Sequence, residues 1–158
     1  MLRKRAASFG GLIAGVTAIA LLAAACSTNN GSSSSGGSSG GGSKTIALLL
    51  PETKTTRYEA QDRPLFEAKV KALCSDCKVI YSNANQDASA QQSQADAALT
   101  NGAKVMVLDP VDSASAASIV NKAKAKNVPV ISYDRLILNA PVDYYISFDN
   151  VQVGKLQA

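Results

Sequence analysis

Histidine is missing from all 158 residues. That removes the side chain that most often serves as a general base near neutral pH. It also leaves Cys74 and Cys77 without the further ligands a zinc site would require. Glycine is missing from the first strand-to-helix turn, LLLPETKTTRYE, so neither a dinucleotide fingerprint nor a phosphate-cradling loop can be built there. No nucleophile-elbow pattern occurs. The chain therefore gives no support for a catalytic residue, a cofactor or a metal, and an enzyme is not expected. Charge of one sign is scarce as well. From Lys44 onward 13 Lys and Arg face 12 Asp and Glu, a net of +1, because three of the basic residues sit at the extreme N-terminus. A nucleic-acid partner has no electrostatic footprint on such a domain.

Long apolar runs are equally rare. The run from Leu12 to Ala25 has fourteen residues, short of the ~20 that span a bilayer core. With Arg3, Lys4 and Arg5 before it, residues 1–25 read as a signal peptide. The run ends in LLAAACS, which resembles the lipobox of bacterial lipoproteins, with Ala23 where that family usually has Leu. The resemblance implies that Cys26 is lipidated and heads the mature chain; secretion after a small-residue cleavage site is the alternative. Residues 27–43, STNNGSSSSGGSSGGGS, have the composition of a flexible coil with a reach of roughly 20–25 Å. Residues 26–43 thus read as an anchor and a leash, holding a folded domain near the outer face of a bilayer.

Residues 44–158 alternate short apolar runs with helical patterns, which predicts βαβ units and a parallel sheet. Strands are expected at Ile46 to Leu50, Lys78 to Tyr81, Lys104 to Leu108, Val128 to Ser132 and Asp143 to Phe148. A first helix should begin near Asp62 or Arg63, since Pro64 is tolerated only in a first turn. It should bury Phe66, Val70 and Leu73. A second, about Ser89 to Thr100, stops at Asn101-Gly102 and buries Ala95, Ala98 and Leu99. A third, about Ser113 to Lys126, takes Ser113 as its N-cap and turns Ala116, Ile119, Val120 and Ala123 inward. Only about nine residues separate the last two strands, so a loop without a helix is expected there. In an oxidising compartment Cys74 and Cys77 are expected to close a small disulfide before the second strand. CSDC follows a helix, whereas a redox motif would start one.

An open parallel sheet binds ligands outside the carboxyl ends of its strands. The residues there are Pro51, Glu52 and Thr53, then Ser82 and Asn83, Asp109, Asp134 and Arg135, and finally Asp149 and Asn150. Asp134 and Arg135 suit a neutral polyol, because a carboxylate accepts from one hydroxyl while a guanidinium fork donates to two oxygens. A structural ion pair is the competing reading. Arg57 and Tyr58, in the first turn, could offer a charge and an aromatic face to a sugar ring, or could be a surface arginine and a capping tyrosine. Asp109 before Pro110 could be a ligand contact or a turn residue, and Asp149 with Asn150 could simply start the last helix.

The motifs along this part of the chain are Arg57-Tyr58, DRPLF (62–66), YSNAN (81–85), QADAALTNGAKVMVLDP (94–110), VPVISYDRLI (128–137) and DYYISFDNVQVGKLQA (143–158). From Lys44 on, the chain resembles the N-terminal lobe of the periplasmic sugar-binding proteins of ATP-binding-cassette importers, closest to the D-xylose-binding branch. The resemblance implies one flavodoxin-like lobe of a type I periplasmic binding protein, with about five parallel strands and flanking helices. It implies Asp134 and Arg135 as principal sugar contacts, with Arg57 another, Tyr58 beside the ring and Asp109 a contact in some relatives. The loop at Arg57 is one residue longer than in xylose binders. The second lobe would lie beyond Ala158, so the chain reads as a truncated frame or fragment of a sugar-binding parent. A lipoprotein that captures xylose or a similar aldose for a membrane permease is the implied function. A sugar sensor is the alternative, and a Rossmann-like enzyme is the third class.

Overall fold

A computed structural model describes residues 44–158. The signal peptide, Cys26 and the Gly/Ser segment expected from the sequence lie outside the described residues. The elements run β1 (Thr45–Leu50), a π-helical turn (Tyr58–Asp62), α1 (Arg63–Leu73), β2 (Lys78–Asn83), α2 (Ala88–Thr100), β3 (Ala103–Leu108), α3 (Ala117–Ala125), β4 (Val130–Tyr133), β5 (Tyr144–Ile146) and α4 (Asn150–Gln157). All four strand pairings are parallel, in the order β2-β1-β3-β4-β5. The chain moves from β1 to one side, then returns past β1 to build the other. The reversal falls between β1 and β3, where an open sheet leaves a crevice at its carboxyl edge. Among the described residues no helix is long and apolar enough to cross a membrane.

Alternation along the strands sorts side chains onto two faces. Ala47 and Leu49 of β1, Met106 and Leu108 of β3 and Val130 of β4 join Ala95, Ala98 and Leu99 of α2 and Ile119, Val120 and Ala123 of α3 in one buried cluster. Each large aliphatic side chain enclosed there contributes roughly 1.5–3 kcal/mol of transfer free energy. Leu48, Leu50, Val107 and Tyr58 form the second cluster, with Phe66, Ile131 and Tyr133 only partly covered against it.

Several expectations require correction. No residue of α1 is fully buried, and Leu73, placed inward by its spacing, is 75 % exposed. Helical spacing marks a stripe but not whether anything lies opposite its end. α3 begins at Ala117, after turns, and Ser113 does not cap it; the Asp112 carboxylate instead accepts from the Ser115 amide at 2.6 Å. The third strand starts at Ala103, one residue earlier than expected. β4 starts two residues later than expected. β5 is only three residues long, Tyr144–Ile146, where Asp143 to Phe148 was expected; before it the Asp143 carboxylate accepts from the Val130 amide at 2.8 Å, and after it the Ser147 hydroxyl donates to the Asp134 carbonyl at 2.8 Å. No helix forms between β4 and β5. Gly102 ends the turn after α2 with φ +83°, the left-handed conformation that glycine adopts without penalty. Cys74 and Cys77 are joined in a disulfide at the end of α1.

Candidate functional site at the carboxyl edge of the sheet

The first turn after β1 is shaped by Glu52, which is nearly enclosed. Its carboxylate accepts from the amides of Lys54 (2.9 Å) and Thr55 (3.2 Å), from the Thr55 hydroxyl and from Gln86 Nε2 (3.2 Å). The Thr55 hydroxyl bond, above all, keeps its pKa below the usual carboxylate range. One acid thereby satisfies the loop's own donors.

The π-helical turn follows directly. Glu59 fastens it to β2, accepting from the Tyr81 hydroxyl and from Asn83 Nδ2 at 2.9 Å, while Arg63 lies 3.7 Å above the Tyr81 ring centroid. A π turn widens the helix by one residue and is a frequent feature of functional sites. Here it carries Tyr58 under the crevice and holds Arg57 over it.

Asp134 follows β4 in the left-handed conformation, φ 59°, a region that Asp tolerates better than most residues. Its amide donates to the Ile146 carbonyl (2.8 Å), and its own carbonyl accepts from the hydroxyls of Ser147 (2.8 Å) and Tyr145 (3.2 Å). The backbone is thus over-determined around a strained residue. Its Oδ2 accepts from Tyr58 Oη at 2.7 Å and pairs with Arg57 Nη2 at 2.6 Å. Both bonds fall on Oδ2, so Oδ1 keeps its accepting capacity.

Arg57 also reaches Asp62 at 3.5 Å, and its guanidinium stands 4.9 Å from the Tyr58 ring centroid and 4.8 Å from that of Phe148. Burial, the largest single influence, disfavours its charge, but the hydrogen bonds to Asp134 and Tyr58 and the negative charges of Asp134 and Asp62 together outweigh it and raise its pKa. Burial, then the bond to Asp134, raises that of Tyr58. Tyr133 is pushed up to about 12, by burial first and by Asp62 next.

Arg135 donates from Nη1 to the Pro110 carbonyl (3.1 Å), and its Nε stands 3.8 Å from Asp109 Oδ1. Asp109 is 0 % exposed, and neither of its carboxylate oxygens has a hydrogen-bond donor. Tyr58 stands beside it, but the closer acceptor for the phenol proton is Asp134. Burial pushes Asp109 up to about 7. The turn that presents it is clamped by the buried Gln91, which donates to the Asp109 carbonyl (2.8 Å) and accepts from the Val111 amide (2.9 Å).

Arg57, Tyr58, Asp109, Asp134 and Arg135 therefore meet at one edge, though not as the dipeptide pattern suggested. Asp134 and Arg135 do not pair with each other. The left-handed turn sends them apart, Asp134 to Arg57 and Arg135 toward Asp109. Tyr58 is 2 % exposed, too deep to pack against a ring; the aromatic face at the surface is Phe148, 58 % exposed. Phe148, Tyr133 and Ser147 were not singled out from sequence, although an aromatic placed directly after a strand, in SFDN, was the available signal. Arg57, Tyr133, Asp134, Ile146, Ser147 and Phe148 line a cavity of about 210 Å³. A larger cavity of about 340 Å³ lies beneath α1, lined mainly by Leu48, Leu65, Phe66, Val107 and Tyr133. Asp62 and Lys69 complete its lining. Asp149 accepts from the Gln152 amide at 3.0 Å and caps α4. Among the described residues the one group of metal-ligating types is Cys74, Asp76 and Cys77, where the disulfide occupies both sulfurs.

A single parallel sheet with a polar crevice at its switch point defines an α/β binding lobe. The chain belongs to the periplasmic binding protein domain family, which it matches over residues 46–158. It is 37% identical over 113 residues to the D-xylose-binding periplasmic protein of Haemophilus influenzae, covering 72% of this chain and 33% of that one. A solute-binding protein of a Clostridium phytofermentans ABC transporter, solved with bound β-D-glucose, superposes with a TM-score of 0.68 at 33% identity, over 72% of this chain and 35% of that one. The Caulobacter myo-inositol-binding protein, solved with myo-inositol, gives 0.63 at 27% identity, over 72% and 38%. The chain spans about a third of the length of the relatives it matches. These relatives bind sugars or cyclitols and are not enzymes, and periplasmic binding proteins are extracytoplasmic.

Proposed function

We propose that this chain supplies one wall of a monosaccharide site, for xylose or a similar aldose, in a lipoprotein that serves an ATP-binding-cassette importer. The observation that carries the reading is the convergence of Arg57, Asp109, Asp134 and Arg135 on one edge of the sheet beside the exposed ring of Phe148. In this reading Asp134 Oδ1 accepts from a sugar hydroxyl and the forks of Arg57 and Arg135 donate to ring and hydroxyl oxygens. Phe148 faces the C–H surface of the ring. Tyr58 takes a supporting role below, holding Asp134 in place. Cys26 anchors the protein to the bilayer and residues 27–43 let the lobe turn toward a permease. The relatives' named ligands, D-xylose and β-D-glucose, support an aldose.

Calorimetry on the protein expressed from its complete reading frame tests this. D-Xylose should bind, and Asp134→Ala or Arg135→Ala should weaken it by roughly 100-fold, the loss expected for a charged hydrogen-bond partner worth ~2–3 kcal/mol, while thermal unfolding stays cooperative. Undiminished affinity in both variants would make the pair purely structural. Sugar capture that leaves the ATPase of an importer unstimulated would move the protein to the sensing class.

A further inference from the structure

The net charge of +1 from Lys44 onward conceals a segregation that the fold imposes. All strands run parallel and each crossover helix returns antiparallel to them, so strand beginnings and helix ends gather at one edge of the sheet. Lys44 immediately precedes β1, Lys78 opens β2 and Lys104 is the second residue of β3. Lys71 lies in the last turn of α1, and Lys124 and Lys126 lie at the end of α3, before β4. Six exposed lysines there meet two acids, Asp76 and Asp143, a net of +4. At the opposite edge Glu52, Asp87, Asp109, Asp112, Asp134 and Asp149 outnumber Lys54, Arg57 and Arg135.

Two of the six lysines are answered. Lys44 pairs with Asp76 at 2.7 Å and Lys124 stands 3.8 Å from Asp143. Among the described residues no carboxylate lies within ion-pair distance of Lys71, Lys78, Lys104 or Lys126. A lysine near a helix end complements the helix macrodipole, which gives Lys71, Lys124 and Lys126 a local role. Lys78 and Lys104 stand on strands and serve no helix, while the last turn of α2 carries no cation. The partial charge of about −0.5 at each of three helix ends leaves the edge positive. Neighbouring strands are about 4.8 Å apart, so Lys78, Lys44 and Lys104 form a row across β2, β1 and β3, which Lys124 and Lys126 extend beside β4.

A row of exposed ammonium groups fits a flat surface of anionic headgroups. Residues 27–43 join the folded lobe at Lys44, on this same edge, and their reach of roughly 20–25 Å suffices to bring it to a bilayer holding Cys26. We propose that the amino edge of the sheet rests on anionic phospholipid headgroups, so that between encounters with a permease the sugar edge faces away from the membrane. A single acyl chain anchors a protein only marginally, and a polybasic patch supplies the second signal. The same surface repels the acidic edge, so attraction and repulsion select one orientation. Contacts of this kind are screened by salt and individually weak, which lets the lobe turn over on its leash to dock. The resting posture depends on Cys26 being an anchor; the affinity of the edge for anionic lipid does not.

The test is lysine footprinting with a water-soluble acylating reagent, read by peptide mass, on the full chain held on vesicles of phosphatidylcholine with or without phosphatidylglycerol. Phosphatidylglycerol should slow acylation of Lys78 and Lys104 by at least about fivefold, the worth of one lysine near an anionic surface, and leave Lys54 at the sugar edge unchanged. Raising salt from about 0.05 M to about 0.5 M should restore the rates. The triple variant Lys78→Gln, Lys104→Gln, Lys126→Gln should keep its denaturant midpoint, since these side chains are exposed, and lose the protection of Lys71. Equal rates on the two lipids, protection that survives high salt, or slowing of Lys54 along with the amino edge overturns the proposal. Binding to double-stranded DNA in preference to anionic vesicles would reassign the face and overturns it too. If the chain leaves neutral vesicles and its N-terminal peptide carries no lipid, the anchor reading fails. Sedimentation with anionic but not neutral vesicles would then leave the basic face standing, and sedimentation with neither overturns it.

Discussion

The two faces of the sheet are built from the same alternating strands and end up in different states. On one, α2 and α3 close over β1, β3 and β4, and Met106, Leu108, Val120 and Val130 reach 0 % exposure. On the other, α1 and the π turn leave Ile131 and Tyr133 partly open, Leu65 64 % exposed and an apolar cavity in the sheet surface. The closed face is small-residue rich at its helices, with Ala95, Ala98 and Ala123 letting the backbones sit close. The open face carries Tyr58, Tyr81 and Tyr133, each an aromatic body with a polar tip. Stability is concentrated on the first face, and the polar edge is assembled from the second.

The largest effect expected lies where the two faces meet, at Asp109. Its folded-state pKa of about 7 stands above the ordinary 3.8, so the folded state binds the extra proton between those values. Its contribution is fully present below about pH 4, is lost as pH rises toward and through about 7, and amounts to at most about 4 kcal/mol. Urea unfolding across that range should show the decline, and Asp109→Asn should flatten it. A wild-type profile that rises through the window would break the assignment.

Next in size, Met106→Ala on the closed face should destabilise by about 3 kcal/mol, since a fully enclosed side chain leaves a cavity that rigid neighbours cannot fill. Phe66→Ala on the open face removes a larger side chain and should still lose less, about 1.5 kcal/mol, because the ring is only partly covered. Denaturant midpoints compare the two directly, and a greater loss at Phe66 would reverse the contrast between the faces. Leu73→Ala should change stability by less than about 0.5 kcal/mol, as for other surface positions. A larger loss there would mean that the end of α1 is covered in solution.

Much of this was legible residue by residue. The strand cores at Ile46 to Leu50 and Val105 to Leu108 announce themselves because burial on both faces demands continuous apolar runs. The stop at Asn101-Gly102 is local chemistry. The π turn was not legible, because nothing in YEAQD differs from an ordinary helix start; it follows from Glu59 finding Tyr81 and Asn83 on a strand more than twenty residues away in sequence. The pairing of Arg57 with Asp134 was hidden for the same reason, while the neighbours Asp134 and Arg135 suggested a pair that the left-handed turn separates.

The amino-acid order by itself settled the number of strands, their parallel arrangement and the chemical character of their carboxyl edge, since periodicity, turn residues and polar tips are properties of short windows. Only the tertiary structure decided which charge answers which, that Tyr58 lies beneath the crevice while Phe148 stands at its surface, and that Asp109 is sealed without a donor. Those outcomes depend on distances between residues far apart along the chain, and burial, which governs both ring exposure and proton affinity, does not exist until the sheet and its helices have closed around them.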